Sequence, residues 1–232
     1  MIEDILPGSA VSRELFGDPE YTEGVLFPEE EEPIARAVAS RRAEYVTARL
    51  CARRALAGLG LPPVPIVKGE RGAPHWPEGV AGSITHCAGY RAAAVARTDA
   101  VLSLGIDAEP DGPLPEGVLG SIAGPEELDW VTDAGPVPAG GGGPYRDRLL
   151  FSAKEAVYKA WFPLTGRWLG FQDVVVTADA ERRTFTARLL VPGPAVGGRP
   201  LRAFTGRWTS GHGLVATAVV VPAPAVARPP AV

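Results

Sequence analysis

The hydrophobic and polar positions of the first hundred residues predict one long helix followed by three strands. Apolar side chains recur every three or four positions over residues 34–59, including Tyr45, Leu50 and Leu56, and this is the period of an amphipathic helix. Shorter apolar segments between glycines and prolines are typical of strands, and they lie at residues 80–85, 91–97 and 101–107.

The same order of elements recurs in the second half of the chain. Arg146–Trp161 is predicted to be a helix, which Pro163 is expected to stop because proline cannot continue the helical hydrogen bonds. Strands are expected near residues 172–178, 184–191, 201–209 and 214–221. A helix followed by strands, twice over, predicts an α+β fold of two similar halves. The similarity of Gly82–His86 to Gly206–His212 fits an internal duplication, although chance would also explain it.

Proline and glycine mark the expected boundaries. We expect an N-terminal half at residues 1–105, a C-terminal half at 106–221 and a disordered tail rich in proline and alanine at 222–232. The run Gly140–Gly143 is expected to be a mobile surface loop. It lacks the lysine and hydroxyl residues of a phosphate-binding P-loop.

Composition and charge exclude several classes of protein. Hydrophobic residues make up 46% and charged residues 22% of the 232 residues, as in an ordinary globular protein, and no apolar run is long enough to cross a bilayer. A net charge of −4 argues against a general nucleic-acid binder. The beginning of the chain lacks the pattern of a secretory signal, and Cys51 and Cys87 are expected to be free thiols, so we expect a cytoplasmic protein.

Two acidic residues near the end of the third strand are candidates for a metal site. Asp107 and Glu109 alternate along the strand and therefore project from the same face, whereas Leu102, Leu104 and Ile106 project from the other. Neighbouring carboxylates repel each other unless a cation lies between them, and their oxygens suit a hard divalent ion such as Mg²⁺ or Mn²⁺. Taken alone, the pair is more typical of a solvated strand end, because such pairs are common.

The predicted helix in the second half adds a third acid and two lysines. Glu155 and Lys159 are four positions apart and share one helical face with Ser152, while Lys154 points elsewhere. An exposed ion pair would explain Glu155 and Lys159 equally well. Together with the acidic pair on the strand, however, they form a constellation suited to phosphoryl transfer.

Cations are concentrated in the first half of this acidic chain. Residues 34–54 hold six arginines, and these are Arg36, Arg41, Arg42, Arg49, Arg53 and Arg54. Arg42, Arg49 and Arg53 lie on one side of the helix, which indicates either a solvated basic face or an anion site. Two more cations lie on the turn Lys68–Pro74, and His86 follows the hydroxyl residues of a strand, as in a phosphate or nucleotide site.

These segments, in this order, resemble the 4′-phosphopantetheinyl transferases of the long Sfp/EntD type, particularly their actinobacterial members. The resemblance runs from about residue 41 to residue 220. Five motifs carry it, namely Arg41-Arg42 through Arg49 and Arg53, Lys68–Pro74, Ser83–Cys87, Gly105–Pro110 and Phe151–Trp161. Relatives carry Glu or Gln in place of Ala108 and Trp in place of Phe151, and neither change removes a proposed ligand.

The resemblance implies a pseudo-dimer of two α+β halves with coenzyme A in the cleft between them. It implies transfer of the phosphopantetheine arm to a serine of an apo acyl or peptidyl carrier protein, with release of 3′,5′-ADP. The implied metal ligands for Mg²⁺ are Asp107, Glu109 and Glu155, and the implied catalytic residues are Glu155, Lys159 and Asp107. The implied contacts to coenzyme A are Arg41, Arg49, Lys68, Arg71, Ser83, Thr85, His86, Lys154 and Lys159.

The sequence leaves some alternatives open. Glu155 serves either mainly as a metal ligand or mainly as the base for the carrier serine. The same acids would also suit a Mg²⁺-dependent hydrolase of coenzyme A or nucleotides, and a non-catalytic sensor of coenzyme A or of carrier proteins is the third possibility. Carrier domains of fatty-acid, polyketide and nonribosomal-peptide assembly all fit, and a pseudo-dimer is expected to be a monomer.

Overall fold

The computed structural model describes residues 1–19, 25–132 and 144–224. Its helices are α1 (Pro28–Glu31), α2 (Ala39–Gly58), α3 (Val118–Ile122), α4 (Pro125–Thr132) and α5 (Arg146–Thr165). Its strands are β1 (Ala10–Phe16), β2 (Val80–Cys87), β3 (Tyr90–Arg97), β4 (Val101–Pro110), β5 (Val174–Asp179), β6 (Thr184–Leu189), β7 (Ala195–Val196), β8 (Arg199–Pro200), β9 (Ala203–Gly211) and β10 (Leu214–Pro222). This mixture of helices and antiparallel strands confirms the predicted α+β class.

The strands form two main sheets. The first has the order β1-β3-β2, the second has the order β4-β10-β9-β6-β5, and β7 and β8 form a small separate ribbon. The whole of β4 belongs to the second sheet, where Asp107 lies opposite Thr217 of β10. The boundary expected between residues 105 and 106 therefore falls inside a strand, and the two sheets divide in the turn that joins β3 to β4.

Each sheet packs against one long helix, and a third apolar cluster joins the sheets. Helix α2 packs on the first sheet through Cys51 and Leu56, and α5 packs on the second through Trp161, which lies in one cluster with Phe185. The third cluster, which includes Ile106 of β4, lies between elements of both sheets. Complete burial of such an apolar side chain stabilises the fold by about 1.5–3 kcal/mol.

The two long helices differ in their ends from the sequence-based prediction. Helix α2 begins at Ala39 rather than near residue 34, because Glu32–Ile34 forms a separate 3₁₀ turn and Val38 is extended. Helix α5 continues past Pro163 to Thr165. Pro163 lacks the N–H that would donate to the carbonyl four residues earlier, and the helix ends soon after it at Gly166, which is in the left-handed conformation with φ of 62°.

Several segments were not predicted or were assigned differently. Strand β1 and the short helices α1, α3 and α4 carry little hydrophobic periodicity and were not predicted. Within the expected tail, Pro222 ends β10 and the amide of Ala223 donates to Ala100 O. The rest of that tail, residues 225–232, and the run Gly140–Gly143 lie outside the described residues. In the described ranges, no helix is both long and apolar enough to span a bilayer.

Candidate active site

A cleft of about 770 Å³ lies between the two halves of the molecule. One wall consists of α2, the turn after residue 68 and β2, and the other consists of β4 and α5. This volume is within the range of small-molecule and cofactor pockets. Ten of the twelve residues that the sequence singled out as ligands or contacts line the cleft, namely Arg41, Arg49, Lys68, Arg71, Ser83, Thr85, His86, Asp107, Glu155 and Lys159. The other two, Glu109 and Lys154, are absent from its walls.

One end of the cleft is rich in cations. Arg41 Nη1 lies 3.4 Å from His86 Nε2, and the Nε of the largely buried Arg49 donates to Ile66 O at 2.9 Å. The guanidinium of Arg49 also lies over the ring of Tyr45, 4.0 Å from its centroid. Burial lowers the pKa of His86 and the nearby charge of Arg41 lowers it further, so the imidazole is neutral at pH 7 when no anion is bound.

Two further cations line the cleft from the turn between α2 and β2. Lys68 pairs with Pro74 in an isolated β-bridge, and the chain reverses between them. Arg71 and Gly72 both have positive φ, 51° and 82°, and the absence of a side chain at Gly72 leaves room for Lys68. The turn therefore presents Lys68 and Arg71 to the cleft.

The remaining arginines on the same side of α2 have other partners. Arg42 forms an ion pair with Glu31 at 2.6 Å, and Arg53 donates to both oxygens of the fully buried Glu30 at 2.8 and 2.9 Å. The predicted anion site on this helix therefore excludes Arg42 and Arg53. Helix α1, which supplies both acids, was not predicted.

A glycine brings α5 into direct contact with β4. A Cβ atom at Gly105 would lie 2.0 Å from Ala156 O and 2.7 Å from Ala160 N, so only glycine allows this approach. As a result Lys159 reaches across to β4, where its Nζ donates to Asp107 Oδ1 at 2.8 Å and to Ile106 O at 3.1 Å. The close backbone contact at Gly105 thus brings Lys159 of α5 within hydrogen-bond distance of Asp107 on β4.

The buried Asp107 repels each of two half-buried acids, Glu109 and Glu155. Burial raises the pKa of Glu109 to about 6, with a further contribution from the charge of Asp107. Burial also raises the pKa of Glu155, which Lys159 opposes and Asp107 increases. Glu109 is held by Arg148, whose Nη1 lies 3.1 Å from Glu109 Oε2. Arg148 was not predicted, although it precedes Glu155 by seven positions and so lies on the same side of α5.

The donor chemistry fits a hard divalent ion, but the ligands are not assembled into a cage. Asp107 is only 4% exposed, and its Oδ2 is buried without a hydrogen-bond partner among the described residues. A cation would satisfy that oxygen. However, no group of three acidic, histidine or cysteine side chains in the described ranges is arranged to hold a metal ion. The expected convergence of the three acids is therefore not present in this arrangement, in which Lys159 contacts Asp107 and Arg148 contacts Glu109.

Lys154 does not lie where the resemblance implies. Its side chain is almost completely buried, and its Nζ donates to Ile122 O, Glu127 Oε2 and Phe171 O, each at 2.7 Å. These three bonds use all of the donors of the ammonium group, so Lys154 has none left for a diphosphate. The expectation that it contacts coenzyme A was wrong, because Lys154 and its neighbour Glu155 point from different faces of α5.

The face of β4 opposite the acids differs from the prediction at one residue. Leu104 and Ile106 are buried in the cluster between the sheets, as predicted for the face opposite the acids. Leu102 differs, because it packs against the cluster beneath α5 and lines the cleft. Trp76 also lines the cleft, and its ring covers Gly82, where a Cβ atom would lie 2.4 Å from the indole.

Comparison with known proteins places this geometry in a family. A model described as the 4′-phosphopantetheinyl transferase N-terminal domain matches residues 29–96, and a model of the 4′-phosphopantetheinyl transferase superfamily matches residues 103–196. The interval between the two matches contains the turn from β3 to β4, where the sheets divide.

Curated proteins of the same kind match over nearly the whole chain. The 4′-phosphopantetheinyl transferase Svp of Streptomyces mobaraensis is 55% identical over 97% of this chain and 91% of its own length. Npt of Nocardia iowensis is 52% identical over 94% of this chain and 99% of its own length. PptT of Mycobacterium tuberculosis is 47% identical over 95% of this chain and 98% of its own length. The chain therefore belongs to the 4′-phosphopantetheinyl transferase superfamily and is a phosphopantetheinyl-transferring enzyme.

Proposed function

We propose that the enzyme transfers the phosphopantetheine arm of coenzyme A to a serine of an apo acyl or peptidyl carrier domain and releases 3′,5′-ADP. The observation that carries this proposal is the distribution of charge along one cleft. Cations gather at one end, and the acids Asp107 and Glu155 lie with Lys159 at the other. Coenzyme A carries a 3′-phosphate and a diphosphate at separate points, and a cleft with two polar ends suits such a molecule.

At the first end, we assign the phosphates of coenzyme A to five residues with suitable chemistry. They are Arg41, Arg49, Lys68, Arg71 and His86. A guanidinium group binds phosphate oxygens through two parallel hydrogen bonds, and burial of Arg49 strengthens such contacts because water is excluded.

At the second end, we propose that Asp107, Glu109 and Glu155 hold Mg²⁺, for which Mn²⁺ could substitute. When bound, the ion would neutralise charge on the diphosphate and on the departing phosphate group. Among the described residues Asp107 Oδ2 has no hydrogen-bond partner, whereas Lys159 contacts Asp107 Oδ1 and Arg148 contacts Glu109 Oε2. Arg148 would have to release Glu109 before all three acids could share the ion.

The reaction exchanges one bond to phosphorus for another. The hydroxyl oxygen of the carrier serine forms a bond to the phosphorus that carries the pantetheine arm, and the bond from that phosphorus to the bridging oxygen breaks. The serine proton passes to a carboxylate, and we assign this role to Glu155, because burial raises its pKa above the ordinary value and makes it a stronger base. The electron pair of the broken bond leaves with 3′,5′-ADP.

We assign the stabilisation of the leaving group to Lys159. Its ammonium group lies at the cleft surface of α5, and among the described residues it donates to Asp107 Oδ1 and Ile106 O. One of its three N–H donors therefore remains available for a phosphate oxygen. A fixed positive charge at that position favours the transition state because negative charge moves toward the leaving phosphate.

We further propose that the two halves are a pseudo-dimer and that the enzyme works as a cytoplasmic monomer. Each half has one long helix on an antiparallel sheet, and each contains a glycine covered by an aromatic ring, Gly82 by Trp76 and Gly206 by Phe185. This likeness supports the duplication. The natural boundary of the halves is the turn between β3 and β4. Cys51 and Cys87, which form no disulfide, suit a reducing compartment.

One assay tests the proposed function against its alternatives. The enzyme is incubated with coenzyme A, Mg²⁺ and an apo carrier domain, and the mass of the carrier is then measured, with a parallel reaction in a chelator. A carrier heavier by one phosphopantetheine group supports the proposal. Release of 3′,5′-ADP with an unchanged carrier would identify a hydrolase, and neither product would identify a sensor.

A further inference from the structure

The two sheets meet along an edge where backbone pairing is replaced by side chains. Strand β4 pairs with β10 on one side, and its other edge faces β2 of the first sheet. In the described part of the chain no backbone ladder joins β2 to β4. The amide groups of Ile106 and Ala108 on this edge are buried and need other acceptors.

Two hydroxyl groups of β2 supply those acceptors. The amide of Ile106 donates to Ser83 Oγ at 3.1 Å, and the amide of Ala108 donates to Thr85 Oγ1 at 3.0 Å. Both side chains are almost fully buried, with 3% and 2% exposure. Ser83 lies beside Ile106, and two residues later Thr85 lies beside Ala108. The two strands therefore run in the same direction, and these two hydrogen bonds fix their register.

The Thr85 hydroxyl makes one further contact. Its single proton is directed to Asp107 Oδ1 at 3.3 Å, the same oxygen that Lys159 contacts. A hydroxyl has one donor and two acceptor positions, so the donor of Thr85 and one of its acceptor positions are already used. Phosphate oxygens only accept hydrogen bonds, and the Thr85 donor is not available to them in this arrangement.

We propose that Thr85 is a positioning residue, which fixes Asp107 relative to the phosphate-binding end of the cleft. Thr85 contacts Asp107, and the next residue of β2 is His86, a proposed phosphate contact. Two adjacent residues thus connect the acidic end of the cleft to its phosphate-binding end. The hydroxyl pair of Ser83 and Thr85 thus keeps the distance between phosphate contacts and acids constant. The inference rests on the proposed function and replaces the expected contact of the Thr85 hydroxyl with coenzyme A.

Replacement of the Thr85 hydroxyl by an isosteric methyl group tests this role. In Thr85→Val, Asp107 loses its fixed orientation, so we expect the Mn²⁺ concentration for half-saturation to rise at least about fivefold. The Kd for coenzyme A without metal should stay within about twofold of the parent value. Mn²⁺ binding is followed by electron paramagnetic resonance with coenzyme A present and no carrier. Thr85→Ser keeps the hydroxyl and should restore the parent titration.

A matched control separates positioning from loss of stability. Thr217→Val makes the same isosteric change at a fully buried threonine, whose hydroxyl bonds to Ser152 of α5 rather than across the sheets. We expect it to lower the melting temperature without shifting the Mn²⁺ titration. Should Thr85→Val fail to fold, Thr85→Ala, which only removes atoms, takes its place.

Two results would overturn the inference. One is a Thr85→Val protein with the parent Mn²⁺ titration, and the other is a variant weakened only in coenzyme A binding, which would make Thr85 a substrate contact. Because the titration needs no carrier, it remains informative even if the parent enzyme fails to transfer phosphopantetheine, which would instead contradict the proposed function.

Discussion

Lys159 Nζ lies 2.8 Å from Asp107 Oδ1, so a cation of α5 compensates the charge of a proposed metal ligand on β4. Asp107 is buried, and an isolated carboxylate there would be costly without a partner. The same ammonium group must also be near the phosphate that departs in the proposed reaction. Lys159 therefore has two effects: it stabilises the metal-free enzyme by compensating Asp107, and it is proposed to stabilise the leaving phosphate during transfer.

Replacement of Lys159 by methionine should separate these two effects. We expect Lys159→Met to reduce the transfer rate at least about tenfold, because a charge near the leaving group is lost. The metal-free variant should melt at a lower temperature, and added Mg²⁺ should raise its melting temperature by more than it raises that of the parent, because the acids then lack their own cation. Thermal unfolding with and without Mg²⁺ measures this difference, and an equal gain in both proteins would contradict it.

The contact between Gly105 and α5 should tolerate no side chain. In Gly105→Ala the new methyl group would overlap Ala156 O, so α5 must move away from β4 and carry Glu155 and Lys159 with it. We expect a lower melting temperature and at least about a tenfold loss of transfer rate. Gly120→Ala on α3 is the control, since nothing lies within 4 Å of the added atom. Unchanged transfer in Gly105→Ala would show that this approach is not needed.

The buried position of Lys154 predicts a defect in stability rather than in substrate binding. Lys154→Met leaves Glu127 buried without its cation, and removing one partner of such a pair costs about 3–5 kcal/mol. The double variant Lys154→Met with Glu127→Gln should recover part of this loss, because a neutral amide oxygen can still accept from Val176 N. Urea unfolding and calorimetric titration with coenzyme A check both points. Normal stability with weakened coenzyme A binding would instead restore the role expected from the resemblance.

His86 should make coenzyme A binding depend on pH. Its pKa lies below the ordinary value of 6.5, mainly because of burial and then because of Arg41. A bound phosphate favours the imidazolium and raises this pKa, so affinity should increase as the pH falls from about 8 to about 6. Calorimetry in buffers of different ionisation enthalpy should detect proton uptake on binding. His86→Gln should reduce that uptake, and identical uptake in both proteins would exclude His86 as a phosphate contact.

The sequence predicted the parts of the fold that have strong periodicity. The helix that carries Glu155 and the strand that carries Asp107 were both predicted, since each has a clear apolar face and a bounded length. Helix α1 was not predicted because it has only four residues and an acidic sequence. Its partners Arg42 and Arg53 lie far along the chain, so their neutralisation by Glu31 and Glu30 could not be seen from helical spacing.

Roles that depend on contacts between distant segments were harder to infer. Lys154 and Glu155 are adjacent in the sequence, and only the packing of α4 against α5 shows that Lys154 is directed to Glu127. Ser83 and Thr85 have hydroxyls suited to phosphate, but both accept from amides of β4, and the Thr85 hydroxyl also donates to Asp107. The sequence motif correctly predicted that Ser83 and Thr85 lie near the cleft. Their roles depend on the β4 amides beside them, which need hydrogen-bond acceptors and cannot be identified from the motif.

The reacting centre is tested most directly by the transfer rate of Glu155→Gln, measured as the mass gain of an apo carrier domain with coenzyme A and Mg²⁺. The change keeps the size of the side chain and removes its ability to take the serine proton. We expect the rate to fall by about 100-fold or more while the Kd for coenzyme A stays within about threefold of the parent. A Glu155→Gln enzyme that modifies the carrier at the parent rate would contradict the assignment of Glu155 and with it the proposed reacting centre.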